Sequence, residues 1–434
     1  MEDFITFFSF ENPNIKYVTG GSILLAISSA LVGCFTFLKK KALVGDAVAH
    51  AVLPGICLSF LISGTKNPIY LIIGAFITGW LSLILIDVIT RKSKIKEDTA
   101  IGLILSVFFG VGILLLTMIQ HSGNAAQSGL DSFLFGKAAA LVGQDLMIFS
   151  IISICLLLGV ILFYKEFALI SFDEDYAKSI GFPVKRLELA LTTLTVLAVV
   201  TGIQAVGVVL MAAMLITPAA AARFWTNKLG IMLVIAAVFG AFSGVSGAYI
   251  SYVAPAMPTG PWIVMIISMI ALTSFFIAPE KGILYKLLRQ SKIKSRILTE
   301  NILKLFYQLG EIDQNFIAQR SIEEIQAKRP IKTPSLLAGL KKLTKQGFLK
   351  HTKEYWELTD QGQKKGQRIV KLHRLWEVYL TKYLRIAPDH VHEDADNIEH
   401  ILTPELEARL EALLEYPTSD PHESIIPYNK PNIK

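Results

Sequence analysis

Between residues 18 and 279 the chain alternates long apolar runs with short polar breaks. The runs cover 18–38, 42–62, 68–90, 99–120, 145–164, 188–204, 206–222, 230–252 and 261–279. About 20 mostly apolar residues make one bilayer crossing. Only Ile203-Gln204-Ala205 separates the sixth run from the seventh. That pair reads either as two crossings or as one crossing plus a broken helix, so the prediction is eight or nine transmembrane helices. After residue 296 the pattern becomes amphipathic. The period predicts helices over 297–309, 321–328 and 334–346, the last with Thr333 as N-cap and Pro334 at its first position. Two short alternating runs follow, 347–351 and 354–358, and then a long helix capped by Thr359 that runs to about 385. Three helices and a hairpin in this order predict a winged helix-turn-helix. The expected fold is therefore an all-α polytopic membrane protein over 1–285, a basic juxtamembrane linker over 286–296, a winged-helix domain over 297–370 and a helical domain over 371–434.

Composition sharpens this division. Of the 434 residues 53% are hydrophobic and only 18% charged, against roughly 25% charged in a soluble domain. That excludes a wholly soluble chain and a disordered one. The net charge of +7 divides unevenly, as +1 over 1–280, +11 over 281–370 and −5 over 371–434. With nine crossings and the N-terminus outside, 13 Lys and Arg fall in inner loops. Only Lys16, Lys66 and Lys137 fall outside. Positive charge collects on the cytoplasmic side, so the expectation is an N-out chain with a cytoplasmic tail. The opening MEDFITFFSFENPNIK lacks a basic region, and no cleaved signal peptide is expected. Cys34, Cys57 and Cys155 lie in apolar stretches without a pairing or metal-knuckle spacing and are read as small core residues.

Ionisable groups at membrane depth are costly and tend to be functional. In LVGDAVAHAVLPG, Asp46 and His50 stand at i and i+4, on one helix face. His50 lies about 13 Å along the helix from Lys41. A carboxylate and an imidazole so placed form half of a divalent transition-metal site. The same pair also suits a hydrogen bond between helices or a proton relay. Pro54 follows four residues later and kinks or ends the helix.

Two inner segments carry further signals. SFDEDYAKSIGFPVKRLE (171–188) reads as a short amphipathic helix stopped by Gly181 and Pro183. Its acidic start, Asp173, Glu174 and Asp175, suits a cytoplasmic protein partner better than anionic lipid. GVVLMAAMLITPAAAARFW (207–225) is rich in the small residues that let helices pack closely. The chain has no GxxxxGK[ST], so any ATP hydrolysis is assigned to another polypeptide.

The order LVGDAVAHAVLPG, KEDTAIGLILS, SFLFG, SFDEDYAKSIGFPV, LMAAMLITPAAAAR and PTGPWIV resembles the permease subunit of metal-importing ABC transporters, over about residues 15–285. The resemblance implies a bacterial cytoplasmic-membrane protein and a homodimer or paired permease. It also implies a separate cytoplasmic ATPase subunit and an extracytoplasmic solute-binding protein. In such a transporter Asp46 and His50 are metal-pathway ligands, and 171–186 is the coupling helix that fits the ATPase. One departure is YVAPAMPTGP, which lacks an acidic residue expected before PTGP.

The basic segment from Lys281 to Arg296 is suited to anionic membrane lipids. Helix 334–346 places Ser335, Leu336, Leu337, Ala338 and Gly339 where a DNA-reading helix needs polar side chains. Lys341, Lys342 and Lys345 remain suited to phosphates, so protein contact and DNA both stay open. Five of the eight histidines fall in 373–422. His373 and Glu377 share one helix face, as do Asp396, Glu399 and His400. Mixed imidazole and carboxylate without thiolate suits Mn, Fe or Zn; the plainer reading is solvated helix charge.

HRLWE, VHEDAD, EH, DPH and IP in this tail resemble the diphtheria toxin repressor family of metal-dependent regulators, over about 295–428. That resemblance makes 371–434 a metal-binding and dimerisation domain. It implies an ancillary site of His373, Glu377 and His392, and Asp396, Glu399 and His400 as three ligands of a primary site. Asn301 and Lys304 depart from the family's first-helix ligands, and an ammonium repels a cation. The chain thus reads as a metal-import permease with a metal-responsive cytoplasmic domain. The alternative is a transcriptional regulator stored on a permease and freed by proteolysis near 285–296.

Overall fold

The computed structural model describes residues 2–65, 67–121, 143–254, 257–386 and 403–428. The chain divides into two compact units, residues 1–286 and 287–434.

The first unit is a helical bundle. Its elements are α1 (Glu2–Ser9), α2 (Pro13–Leu38), α3 (Val44–Ala51), α4 (Leu53–Ser63), α5 (Pro68–Lys92) and α6 (Glu97–His121). They are followed by α7 (Gly143–Leu162), α8 (Tyr164–Phe172), α9 (Glu174–Ser179), α10 (Val184–Val206), α11 (Val208–Trp225), α12 (Leu229–Val253) and α13 (Thr259–Ile277). Among the described residues eight segments are long and apolar enough to cross a membrane, with α3 and α4 counted as one; the apolar part of α11, Leu210–Trp225, is shorter.

Helix α11 nevertheless runs as a separate antiparallel pass. The chain turns at Gly207, whose φ of 88° is open to glycine and strained for other residues. A Cβ on Gly202 would stand 2.2 Å from Met211 Sδ. In one straight helix those residues would lie about 13 Å apart. Glu188, at the start of α10, meets Lys39 at the end of α2. Val206, at the end of α10, packs on Gly260 at the start of α13, and Trp225 Nε1 donates to Ser274 Oγ at 2.9 Å near the end of α13. The helices therefore alternate in direction among the described residues, and Lys39, Arg91, Lys185, Arg223 and Lys281 collect at one end of the bundle.

The core centres on α2, α3 and α11. Leu215 is fully buried. Its backbone lies so close to Gly33 that a Cβ there would fall 1.8 Å from the Leu215 carbonyl oxygen. The same residue's side chain covers Gly45, just before Asp46. The small-residue run of α11 is thus a close-packing surface. Cys34 and Cys57 are buried, but Cys155 is exposed on α7; this corrects the expectation of three core cysteines, because α7 turns an apolar face outward.

In the second unit α14 (Ile283–Ile312) is continuous through the segment expected as a linker. The unit continues with α15 (Ile322–Lys328), α16 (Thr333–Lys345), β1 (Leu349–Thr352), β2 (Tyr355–Leu358), α17 (Asp360–Leu384) and α18 (Pro404–Leu413). The strands pair antiparallel, Leu349 opposite Leu358 and Thr352 opposite Tyr355, and Arg320 bridges to Trp356. Ile302, Phe306, Ile325, Leu340, Leu349 and Trp356 share one core, which makes this the three-helix-plus-hairpin arrangement of a winged helix. Thr359 caps α17 as expected, its hydroxyl accepting from Gly362 N at 3.1 Å. Thr333 does not cap α16: Lys332 holds that position, and the Thr333 hydroxyl accepts from Gln326 Nε2 at 3.1 Å.

Candidate functional site

The helical period brings Asp46 and His50 together. Both lie on α3, with His50 Nε2 3.6 Å from Asp46 Oδ1. That separation is too long for a hydrogen bond. Two donors each about 2.1 Å from one ion stand roughly 3.0–3.4 Å apart at octahedral or tetrahedral angles, so the pair fits a shared ion after a small closure. The Asp46 side chain is 42% exposed and that of His50 19%. The imidazole meets the Phe109 ring of α6 edge-on at 4.9 Å. Its Nδ1 is buried without a hydrogen bond. Helix bonding passes through Val52, whose N–H reaches Val48 O and whose C=O accepts from Ile56. Pro54 has no N–H to offer the His50 carbonyl, which leaves one more oxygen beside the pair. Among the described residues no group of three or more His, Cys, Asp or Glu could hold an ion.

The inner segment differs in detail from its sequence reading. Its helix is α9 alone. Asp173 is the N-cap, Oδ1 accepting from Tyr176 N at 2.9 Å, and Asp175 is exposed. The stop is as expected: Gly181 has φ of 87°, and Pro183 caps α10. Tyr176, Ile180 and Phe182 are exposed around it. The hydrogen bond from Lys178 holds the Glu174 carboxyl below the usual range. Lys39, almost buried, lies 2.5 Å from Glu188 and 3.9 Å from Glu174. Arg91 reaches the same Glu188 at 3.8 Å and Asp87 at 2.7 Å. This network ties α9 to the ends of α2, α5 and α10. Spacing along the chain could not pair these charges, because the partners lie up to 149 positions apart.

In the second unit His373 Nε2 stands 3.1 Å from Glu377 Oε1 on α17, and both side chains are nearly inaccessible. Their ligand-like distance matches an octahedral edge. His392, Asp396, Glu399 and His400 lie outside the described residues. Asn301 and Lys304 are on α14; Lys304 is 2% exposed, and Asn301 Oδ1 is buried without a hydrogen bond among the described residues. Beside this pair sits a group that sequence reasoning missed. Arg374 forms a two-pronged pair with Glu311 at 2.9 and 2.7 Å. It also donates to Ile425 O at 2.6 Å and approaches Asp420 at 3.6 Å. Asp420 in turn accepts from His422 N and Ser424 N. Lys371 holds Glu407 and Glu411. Burial pushes the Glu407 carboxyl up, but hydrogen bonds from Lys371 and Arg368 outweigh it and hold it below its usual range. On α16, Lys342 donates to Ser295 Oγ at 2.8 Å, so of the three lysines suited to phosphate only Lys341 and Lys345 point outward.

A multi-pass bundle with a carboxylate–imidazole pair on an inner helix, and a winged-helix unit with a buried histidine–glutamate pair, define a membrane transport subunit with an appended regulator-like domain. Residues 12–278 match the ABC 3 transport family, and 359–428 match the metal binding and dimerisation domain of iron dependent repressors. The chain belongs to the permease subunits of metal-importing ABC transporters. It is 41% identical over 406 residues to the manganese transport system membrane protein MntC of Bacillus subtilis, covering 93% of this chain and 92% of that one. It is 43% identical over 284 residues to the zinc transport system membrane protein TroC of Treponema pallidum, covering 65% of this chain and 95% of that one. Among solved structures, PsaBC from Streptococcus pneumoniae in complex with Fab superposes with a TM-score of 0.58 at 36% identity, over 64% of this chain and 97% of that one.

Proposed function

We propose that this permease carries Mn(II) across the cytoplasmic membrane through the Asp46–His50 pair, and that its C-terminal domain adjusts transport to cytosolic metal. The observation that carries the reading is the pair itself, 3.6 Å apart on a helix inside the bundle. Oxygen and imidazole donors without thiolate suit manganese, and one relative that spans both halves is named for manganese transport. Two such pairs, one from each permease of a dimer, supply four ligands. Positive charge collects on the cytoplasmic side, which supports a cytoplasmic basic end of the bundle and a cytoplasmic second unit.

Docking of a separate ATPase at α9 drives alternating access, with Tyr176, Ile180 and Phe182 as its apolar contacts and the Lys39–Glu188–Arg91 network as the link to the bundle. A solute-binding protein delivers metal at the opposite end. In the tail, His373 and Glu377 bind an ion together with His392, and Asp396, Glu399 and His400 form a second, weaker site limited by Asn301 and Lys304. Release by proteolysis is disfavoured because α14 is an unbroken helix over 285–296. The test is uptake of labelled Mn(II) and Zn(II) into proteoliposomes holding the complex, with and without residues 290–434. Preferential Mn(II) uptake that loses its response to internal metal on truncation supports the reading; zinc-only uptake, or an unchanged response, refutes it.

A further inference from the structure

At the basic end of the bundle the ends of α5, α6 and α10 enclose a cavity of about 330 Å3 with two kinds of wall. One wall is apolar: Leu83, Ile84 and Leu189, the last 48% exposed on the bundle surface. The other carries charge. Arg91 at the rim is matched by Asp87 and Glu188, and Glu188 also by Lys39. Glu97 lies in the first turn of α6, where a carboxylate complements the helix dipole. Lys41 and Lys185 line the cavity too, and neither makes an ion pair among the described residues. Lys41 acts on Glu174 only through space, so two ammonium groups with no carboxylate in contact among the described residues face a space whose other side is hydrocarbon. It lies where the bundle's cationic residues gather, the end that positive charge assigns to the cytoplasmic headgroups. Basic pockets between transmembrane helices on the cytoplasmic side bind lipid phosphates.

We propose that this cavity is a phospholipid site. Lys41 and Lys185 hold the phosphate of an anionic headgroup, and one acyl chain lies along Leu83, Ile84 and Leu189. The occupant is a membrane lipid, because a free phosphate has no use for the apolar wall. The consequence is mechanical. Lys41 lies between α2 and α3, three residues before the helix of Asp46, and Lys185 is in the first turn of α10. A bound lipid cross-links the corner that leads into the metal helix to the helix that follows α9. The inference rests on the bundle's spanning a membrane and not on which ion it carries.

The experiment is native mass spectrometry of the full-length chain in mild detergent, titrated with dioleoyl phosphatidylglycerol. The expected result is one tightly held lipid per chain. A lysine near an anionic group contributes about fivefold, so Lys41→Gln with Lys185→Gln should weaken that lipid by about thirtyfold. Leu189→Trp, which fills the apolar wall and leaves both lysines, should weaken it as well. Lys92→Gln with Lys94→Gln, outside the cavity, should leave it unchanged, and millimolar inorganic phosphate should not displace it. Wild-type lipid binding by both the lysine pair variant and Leu189→Trp would overturn the proposal. So would displacement by phosphate, which marks a free-anion site, or loss of the lipid when the ATPase subunit is added, which marks a protein contact.

Discussion

Replacing Asp46 by Asn or His50 by Gln separates a metal pathway from a structural contact. At 3.6 Å the two groups do not hydrogen-bond, and a charged i,i+4 pair on a helix is worth about 0.3–0.5 kcal/mol. Asn keeps the size of Asp46, and Gln at position 50 fills most of the imidazole volume against Phe109 although the edge-on ring contact is lost. Thermal stability should therefore move by no more than about 2 °C. Transport should behave quite differently. Even outer partners of metal ligands are worth about 10–100-fold in affinity or activity, so loss of either ligand should lower Mn(II) uptake by at least about a hundredfold. The double variant should be little worse than either single one, because both act on the same ion. The assay is labelled uptake in proteoliposomes beside a melting curve of the same preparation, with Mn(II) binding measured in detergent. Wild-type uptake in both single variants, or a melting loss above about 5 °C with normal uptake by the surviving protein, would make the pair a helix contact. Intact metal binding with lost uptake would instead identify a proton relay.

Other outcomes follow from the geometry. Gly33→Val should force α2 from α11, because its Cβ would meet the Leu215 carbonyl at 1.8 Å; a loss of at least about 1–3 kcal/mol should appear as a lowered melting temperature together with impaired uptake. Tyr176→Ala should weaken co-purification of the ATPase while metal binding persists, whereas Asp173→Ala should act through the lost N-cap, by about 1 kcal/mol. Arg374→Met strands Glu311 and Asp420 and should destabilise the 287–434 unit by about 3 kcal/mol, measured by denaturant melting. The folded Glu407 carboxyl titrates below its usual 4.5 and Lys371 above its usual 10.5, where burial lowers the ammonium but the hydrogen bonds it donates to Glu407 and Glu411 outweigh that. Their contribution is therefore full between those values. It is lost as pH falls through the lowered Glu407 value or rises through the raised Lys371 value; Glu407→Gln should remove the acid-side loss. The 287–434 unit should also gain melting temperature with Mn(II), and His373→Ala should remove most of that gain.

Local period and composition determined much of this protein. The apolar runs marked the passes, the i,i+4 spacing put Asp46 beside His50 and His373 beside Glu377, and Thr359 announced its helix. Each of these depends on residues within a few positions of one another, and helix geometry alone relates them. Tertiary structure decided the rest. The reversal at Gly207 turned an ambiguous apolar stretch into two antiparallel helices. Thr333 lost its cap to Lys332, and Asp173 proved to be the N-cap of its helix. Lys39 found Glu188 across 149 positions, Arg374 found Glu311 across 63, and Lys281 found the carbonyl of Arg223 across 58. Such pairings depend on which helix faces which, and at what register. Hydrophobic period fixes the buried side of a helix but not the neighbour it meets, so the charges could be read from the chain while their partners could be seen only in the packed bundle.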